Sequence, residues 1–170
     1  MRPSWDQTWY SVAETIALRS DCVSRQVGCV IVSEDNRTHW VGYNGAPGGY
    51  PEAVNDPVDS VGLPGCSSYC AQGREVHDGS RNPACEQAAC VSVHAEINAL
   101  IQSDRSRRLG GTAYITAAPC LKCGSALANS GITRVVSPAW EARRIYEGTS
   151  VLTVFGACGV QWIPGWAPQS

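Results

Sequence analysis

SVHAEINALIQSDRSRRLGGTAYITAAPCLKCGSALANSGITRVV, residues 92–136, is the stretch whose reading decides the fold. Residues 92–102 make a helix candidate, and the short run 112–116, TAYIT, is rich in β-favouring side chains. Pro119 then stands before a second helix over 120–129, which Gly131 terminates, and 132–136 is another strand. Working outward, Trp5, Trp9, Val12 and Ile16 recur at three- and four-residue spacing, so 5–20 reads as an amphipathic first helix. Residues 27–32 and 38–43 read as two strands of a hairpin around the polar turn Glu34-Asp35-Asn36. Residues 148–170 carry no charge and read as a helix, a buried strand and a Trp/Pro tail holding Trp162 and Trp166, a tail suited to covering a neighbouring surface. The expected order is helix, two strands, a long insert, then helix, strand, helix, strand, helix, strand. Alternation of this kind favours an α/β fold, a mixed sheet flanked by helices.

A chain of 170 residues, 44% hydrophobic, buries one substantial core, so 1–170 is expected to be a single domain. Its formal charge of -2 and pI near 5.9 supply no general attraction to a polyanion. The one dense basic cluster is Arg105, Arg107 and Arg108. The uncharged tail is no membrane span, because Gly156, Gly159, Gln161, Pro164, Gly165 and Pro168 interrupt it. The first ten residues contain no apolar run of the secretory kind, which implies a cytoplasmic protein. Nine cysteines in a reducing compartment are better read as metal ligands than as disulfides.

Chemistry concentrates at His94-Ala95-Glu96 and at Pro119-Cys120-Leu121-Lys122-Cys123. A C-x-x-C pair at a helix start sets two sulfurs about one turn apart, where free N–H groups and the helix dipole favour thiolates. His94, opening the preceding helix, is placed to supply a third ligand. Three protein ligands leave one tetrahedral position open, the arrangement of a catalytic zinc, which makes hydroxide available near neutral pH. Glu96 is then positioned to move protons in general acid-base catalysis. Alone, a C-x-x-C is as often a redox or structural pair, and a lone histidine is usually a surface or core residue. Jointly and in this order, H-x-E and P-C-x-x-C resemble the signature of zinc-dependent nucleobase deaminases.

Val41-Gly42-Tyr43-Asn44-Gly45-Ala46-Pro47-Gly48-Gly49 narrows that resemblance to the deoxycytidylate (dCMP) deaminase family, supported by residues 24–32 and by His94–Leu100, HAEINAL. The similarity runs over about residues 8–160, with only the middle insert poorly matched. It implies a cytidine deaminase-like fold, a five-stranded mixed β-sheet between α-helices in three α/β/α layers. It also implies zinc-dependent hydrolysis of dCMP, plain or 5-substituted, to dUMP and ammonia. By the same resemblance Asn44 contacts the deoxyribose or phosphate, with Gly45, Ala46 and Ala95 joining the substrate-binding set. Arg25 becomes the phosphate partner, its alternative being a solvated turn arginine. Trp140 lies against the pyrimidine or sugar, or else is a core or interface tryptophan. Members of the family form homo-oligomers, often hexamers, and many respond to dCTP and dTTP; the divergent insert puts that regulation in question here.

The insert, at about 48–90, is Gly/Pro-rich, without sustained periodicity, and longer than loops of compact domains. It holds Cys66, Cys70, Cys85 and Cys90, spaced as C-x3-C and C-x4-C, and Cys22 matches a cysteine that some phage-type relatives use for a second zinc. Three or four of these five are expected to hold a structural zinc; the alternative is that two of the insert cysteines are buried thiols. His77 and His39 are expected outside any ligand set, and Tyr114 and Ile115 in packing.

Two rival readings remain at this point. A deaminase of a base within RNA or single-stranded DNA shares the same motifs but calls for a basic surface. A non-catalytic module stapled by zinc accounts for the cysteines but leaves Glu96 without a purpose.

Overall fold

The computed structural model describes residues 2–20, 22, 25–48, 92–138 and 150–163. Their elements run α1 (Trp5–Ala17), β1 (Gly28–Val32), β2 (His39–Tyr43), α2 (Ala95–Gln102), α3 (Arg105–Arg108), β3 (Thr112–Ile115), α4 (Leu121–Asn129), β4 (Arg134–Val136), α5 (Val151–Cys158) and β5 (Gln161–Ile163). The strands form one five-stranded sheet in the order β2-β1-β3-β4-β5. β1 is antiparallel to both its neighbours, whereas β3, β4 and β5 run parallel. This is the mixed sheet expected from the sequence.

The two-residue period of the strands sorts the core into two layers. Cys29 and Ile31 of β1, Ala113 and Ile115 of β3 and Val135 of β4 face Ala95, Ala99, Leu127, Val151 and Phe155, so α2, α4 and α5 cover one face. Val30, Val32, Tyr114 and Val136 alternate to the other face, under Trp9, Tyr10 and Ala13 of α1. Because β1 lies inside the sheet with both faces covered, all five of its residues are buried.

Local chemistry fixes where the helices begin. Ser4 and Gln7 form a reciprocal capping box, Gln7 N–H donating to Ser4 Oγ at 3.1 Å and Ser4 N–H to Gln7 Oε1 at 2.7 Å, which starts α1 at Trp5. On the far side of the sheet from α2, Asp6 binds Arg134 through both oxygens, at 2.8 and 2.6 Å, and accepts the Tyr114 hydroxyl at 2.8 Å. One carboxylate thereby ties α1 to β3 and β4.

Three differences from the sequence reading have local causes. Residues 92–94 are not helical: Val93 exchanges two backbone hydrogen bonds with Gly45, and α2 begins only at Ala95. The four-residue helix α3 was not expected; Asp104 caps it by accepting the Arg107 N–H. β5 is not a buried strand but stands at the edge of the described sheet, with Gln161 exposed and Trp162 and Ile163 half-buried. Trp162 still packs on the core and donates its Nε1–H to Ser137 Oγ at 2.8 Å, while Trp166 lies outside the described residues.

Candidate active site

The N-termini of α2 and α4 meet beside the sheet. His94 and Cys120 are the respective N-caps, both in extended backbone, and Cys123 lies one turn into α4. Cys120 Sγ accepts the Cys123 N–H at 3.5 Å, taking the place of the hydroxyl or carboxylate that commonly caps a helix. Nδ1 of His94 lies 3.3 Å from Cys123 Sγ and 3.7 Å from Cys120 Sγ, and the three donor atoms all fall within 4.8 Å of one another. A tetrahedral zinc with ordinary Zn–N and Zn–S bonds separates nitrogen from sulfur by roughly 3.6 Å. The donor set therefore fits zinc in both chemistry and spacing, with no backbone rearrangement.

Electrostatics at the cluster follow from crowding. Hydrogen bonding from Cys123 and from His94 pulls the Cys120 thiol well below its ordinary range, against the opposing effect of burial. Cys123 is pushed up by its hydrogen bond to Cys120 and by burial, so the two sulfurs share a proton until a cation replaces it. Hydrogen bonding to Cys120 raises the His94 imidazole.

Glu96, in the first turn of α2, is 4% exposed. Burial raises its carboxyl, opposed by its own backbone N–H and by His94. A buried carboxyl next to a metal-ligand cluster is suited to exchanging protons with a substrate. The thiol of Cys29, in the core beneath, is raised by burial and then by the Glu96 charge.

α2 is set at this depth by a glycine. A Cβ at Gly42 would overlap the Ala95 carbonyl oxygen and the Ala99 nitrogen, so only the bare backbone of β2 lets the helix come this close. Ala95 is completely buried in that contact.

The segment following β2 is held from three directions. Asn44 Oδ1 accepts the Val27 N–H at 2.7 Å, its Nδ2–H donates to the Arg25 carbonyl at 2.9 Å, and its own carbonyl accepts the Ser20 hydroxyl at 2.7 Å. Gly45 is joined to Val93, next to His94. Asn98 of α2 donates Nδ2–H to the Tyr43 carbonyl at 2.7 Å. Asn44 thus has one N–H and one lone pair left for a ligand, having spent the others on its own loop. Ala46 is half-buried, and Arg25 is exposed, its backbone carbonyl bonded to Asn44 and its guanidinium without a hydrogen-bond or ion-pair partner among the described residues.

The structure thus brings together His94, Glu96, Cys120, Cys123 and Ala95, with Asn44 and Gly45 alongside. Trp140, Cys66, Cys70, Cys85, Cys90 and His77 lie outside the described residues. Cys22 is half-buried, its N–H donated to Ser20 Oγ at 3.2 Å. The His39 ring packs against Trp9 in a tilted arrangement at 5.0 Å, and Tyr114 and Ile115 are buried, in keeping with packing roles. Sequence reasoning singled out neither Ser20 nor Asn98; the available signal was that Asn98 lies four residues after His94, on the same helical face.

The basic cluster is largely occupied. Arg105 and Arg108 donate to the Ser130 carbonyl at 3.4 and 3.3 Å, and Arg108 also reaches the Ser103 carbonyl at 2.8 Å. Both arginines satisfy carbonyls at the C-terminal ends of α2 and α4. Of the three, Arg107 alone donates no side-chain hydrogen bond among the described residues. Among the described residues no helix is long and apolar enough to cross a membrane.

Comparison with known proteins bears on this geometry. The family model of the cytidine and deoxycytidylate deaminase zinc-binding region matches residues 3–138. A deoxycytidylate deaminase of Mycobacterium phage D29 is 40% identical over 138 residues, spanning 81% of this chain and 96% of its own. The deoxycytidylate deaminase of Schizosaccharomyces pombe is 38% identical over 137 residues, 79% of this chain but 37% of that longer protein. In fold, the chain is similar to dCMP deaminase from the cyanophage S-TIM5, solved in complex with dCMP and dUMP, with a TM-score of 0.62 at 24% identity, covering 96% of this chain and 98% of the other.

Proposed function

We infer the reaction from kinship and geometry together: the chain belongs to the cytidine and deoxycytidylate deaminase family. It is a zinc-dependent hydrolase that converts dCMP and water to dUMP and ammonia. The observation that carries this reading is the meeting of His94, Cys120 and Cys123 beside the buried carboxyl of Glu96. Zinc in that donor set supplies the Lewis acid that makes water nucleophilic near neutral pH. Glu96 takes the proton that the attacking water gives up and delivers it to ring nitrogen 3 of cytosine as oxygen adds to carbon 4. It then takes the remaining proton of that oxygen, now the carbon 4 hydroxyl, and passes it to the exocyclic amine, so that the C4–N bond breaks, ammonia leaves and the C4=O of uracil forms. The raised carboxyl suits both directions of transfer.

Substrate is held, in this reading, by the preorganised loop. Arg25 pairs with the phosphate, supported by its exposure and by the bond that its backbone carbonyl accepts from Asn44. Asn44 uses its remaining N–H and lone pair on the deoxyribose or phosphate, Gly45 and Ala46 admit the sugar to close backbone approach, and Ala95 floors the base. Trp140 lies against the pyrimidine or sugar. The cyanophage enzyme that binds dCMP and dUMP supports a nucleotide over a polymer as the substrate.

The same proposal extends to the rest of the chain. Residues 1–170 make one domain, its insert fixed by a second, structural zinc drawn from Cys22, Cys66, Cys70, Cys85 and Cys90. The chains assemble as homo-oligomers, a hexamer by family precedent, in the cytoplasm, and dCTP and dTTP are the effectors to try.

Ammonia release from dCMP, deoxycytidine and a single-stranded oligonucleotide tests the substrate class. dCMP should be turned over far faster than the nucleoside, because without the phosphate Arg25 and the loop donors stay unpaired. Equal efficiency on dCMP and deoxycytidine would overturn the nucleotide assignment. A preference for the oligonucleotide would overturn the small-substrate reading.

A further inference from the structure

Residues 43–45 approach the metal ligands from a different part of the chain, and two contacts fix how far they sit from His94. One is the backbone exchange between Gly45 and Val93, at 3.2 and 2.8 Å. The other comes from a side chain: Asn98 Nδ2 lies 2.7 Å from the Tyr43 carbonyl oxygen and 3.4 Å from that of Val93. The carboxamide therefore bridges the residue before Asn44 and the residue before His94. It is carried on α2 itself, its own backbone N–H donating to the His94 carbonyl at 3.0 Å, so it turns with the helix that bears His94 and Glu96.

We propose that Asn98 is a positioning residue for substrate, holding the Asn44–Gly45 loop in register with the N-terminal turn of α2 so that the nucleotide contacts and the proton-transferring carboxyl share one frame. This rests on the dCMP reading above. A carboxamide does what few other side chains of this size can: both N–H groups lie on one nitrogen, so a single atom serves two carbonyl oxygens. Of the remaining contacts on the loop, those with Ser20, Arg25 and Val27 tie it to the α1–β1 connection, and the Gly45–Val93 exchange holds only its far end, so Asn98 is the side chain that fixes the Tyr43–Asn44 end against α2. Loss of the bridge should loosen the loop without disturbing the ligands, because Cys120 and Cys123 belong to α4 and the helical bonds of α2 remain.

Asn98→Ala and Asn98→Asp test the assignment, with zinc content, KM and kcat for dCMP measured on the full chain. Asn98→Ala should keep zinc at the wild-type level and raise KM about tenfold, equivalent to about 1.4 kcal/mol, with kcat changed far less. Asn98→Asp fits the same space but sets a carboxylate against two carbonyl oxygens. Its KM relative to wild type should be the worse of the two at neutral pH and should improve as pH falls and the introduced carboxyl regains a donor proton. Asp6→Asn, which loosens the opposite face of the sheet, controls for general destabilisation and should leave KM unchanged. Wild-type protein inactive on dCMP would sink the substrate reading itself. With an active wild type, an unchanged KM in Asn98→Ala, loss of zinc, or a pH-independent KM ratio in Asn98→Asp would each overturn the role given to Asn98.

Discussion

Gly42→Ala replaces a hydrogen by a methyl group at the point where β2 and α2 touch. The new methyl would overlap the Ala95 oxygen and the Ala99 nitrogen and stand 3.0 Å from the Ala99 Cα, and all three are backbone atoms that no rotamer change can move. Ordinary contact between non-bonded heavy atoms needs about 3.5 Å, so α2 must retreat from the sheet by on the order of 1 Å. That retreat carries His94 and Glu96 with it, but not Cys120 and Cys123, which are anchored on α4 against α5. Overpacking of this kind costs about 2 kcal/mol, or a fall of roughly 6 °C in Tm for a chain of this size. Catalysis should suffer more than stability, because a misplacement near 1 Å at a reacting centre costs about 100-fold. Ammonia release gives kcat/KM for dCMP, thermal unfolding gives Tm, and metal analysis shows whether the distorted ligand set still holds zinc. A variant with kcat/KM within about threefold of wild type and an unshifted Tm would refute the argument that Gly42 sets the depth of α2.

Further expectations follow from other parts of the molecule. Glu96→Ala should retain zinc yet lose turnover by about 1,000-fold, and a loss within about tenfold would remove Glu96 from the proton transfer. Cys120→Ala and Cys123→Ala should instead lose the metal. The Asp6 carboxyl is held below its ordinary range, chiefly by Arg134 and also by Tyr114, against burial. Because the folded value is depressed, its stabilising contribution is present above the ordinary carboxylate pKa of about 3.9 and is lost as pH falls through the folded value. Denaturant titration should therefore show Asp6→Asn less stable than wild type by about 1.5 kcal/mol at neutral pH, the gap closing in acid; a gap independent of pH would refute the assignment. Purified protein should contain more than one zinc per chain, and Cys66→Ser or Cys90→Ser should lower stability while His94 and its partners stay metallated. One zinc per chain, with Cys22, Cys66, Cys70, Cys85 and Cys90 all reactive in the native protein, would show that the insert is held in some other way.

What could be read from the sequence was whatever depends on short-range order. The β-favouring runs around Val30 and Tyr114 and the helix stop at Gly131 are local, so element order and the mixed sheet were legible. The ligand set was legible for the same reason: a C-x-x-C at a helix start and a histidine at another constrain the chemistry before any fold is known. Helix limits were less so. Residues 92–94 have the composition of a helical turn, but pairing with Gly45, distant in sequence, holds Val93 extended and leaves His94 as an N-cap.

Tertiary structure alone decided what each polar side chain spends its hydrogen bonds on. Arg105 and Arg108 look like a basic patch in the sequence, and folding turns them onto the ends of α2 and α4. Asn44 reads as a ligand-facing residue, yet half its capacity goes to Arg25 and Val27. Gly42 reads only as one position of the 38–43 strand, and its real constraint, the backbone of α2, lies more than fifty residues on. Sequence determines which donors, acceptors and apolar faces exist and in what local order. Which of them meet is settled by long-range packing, because a single carbonyl oxygen or an absent Cβ carries no pattern that neighbouring residues could betray.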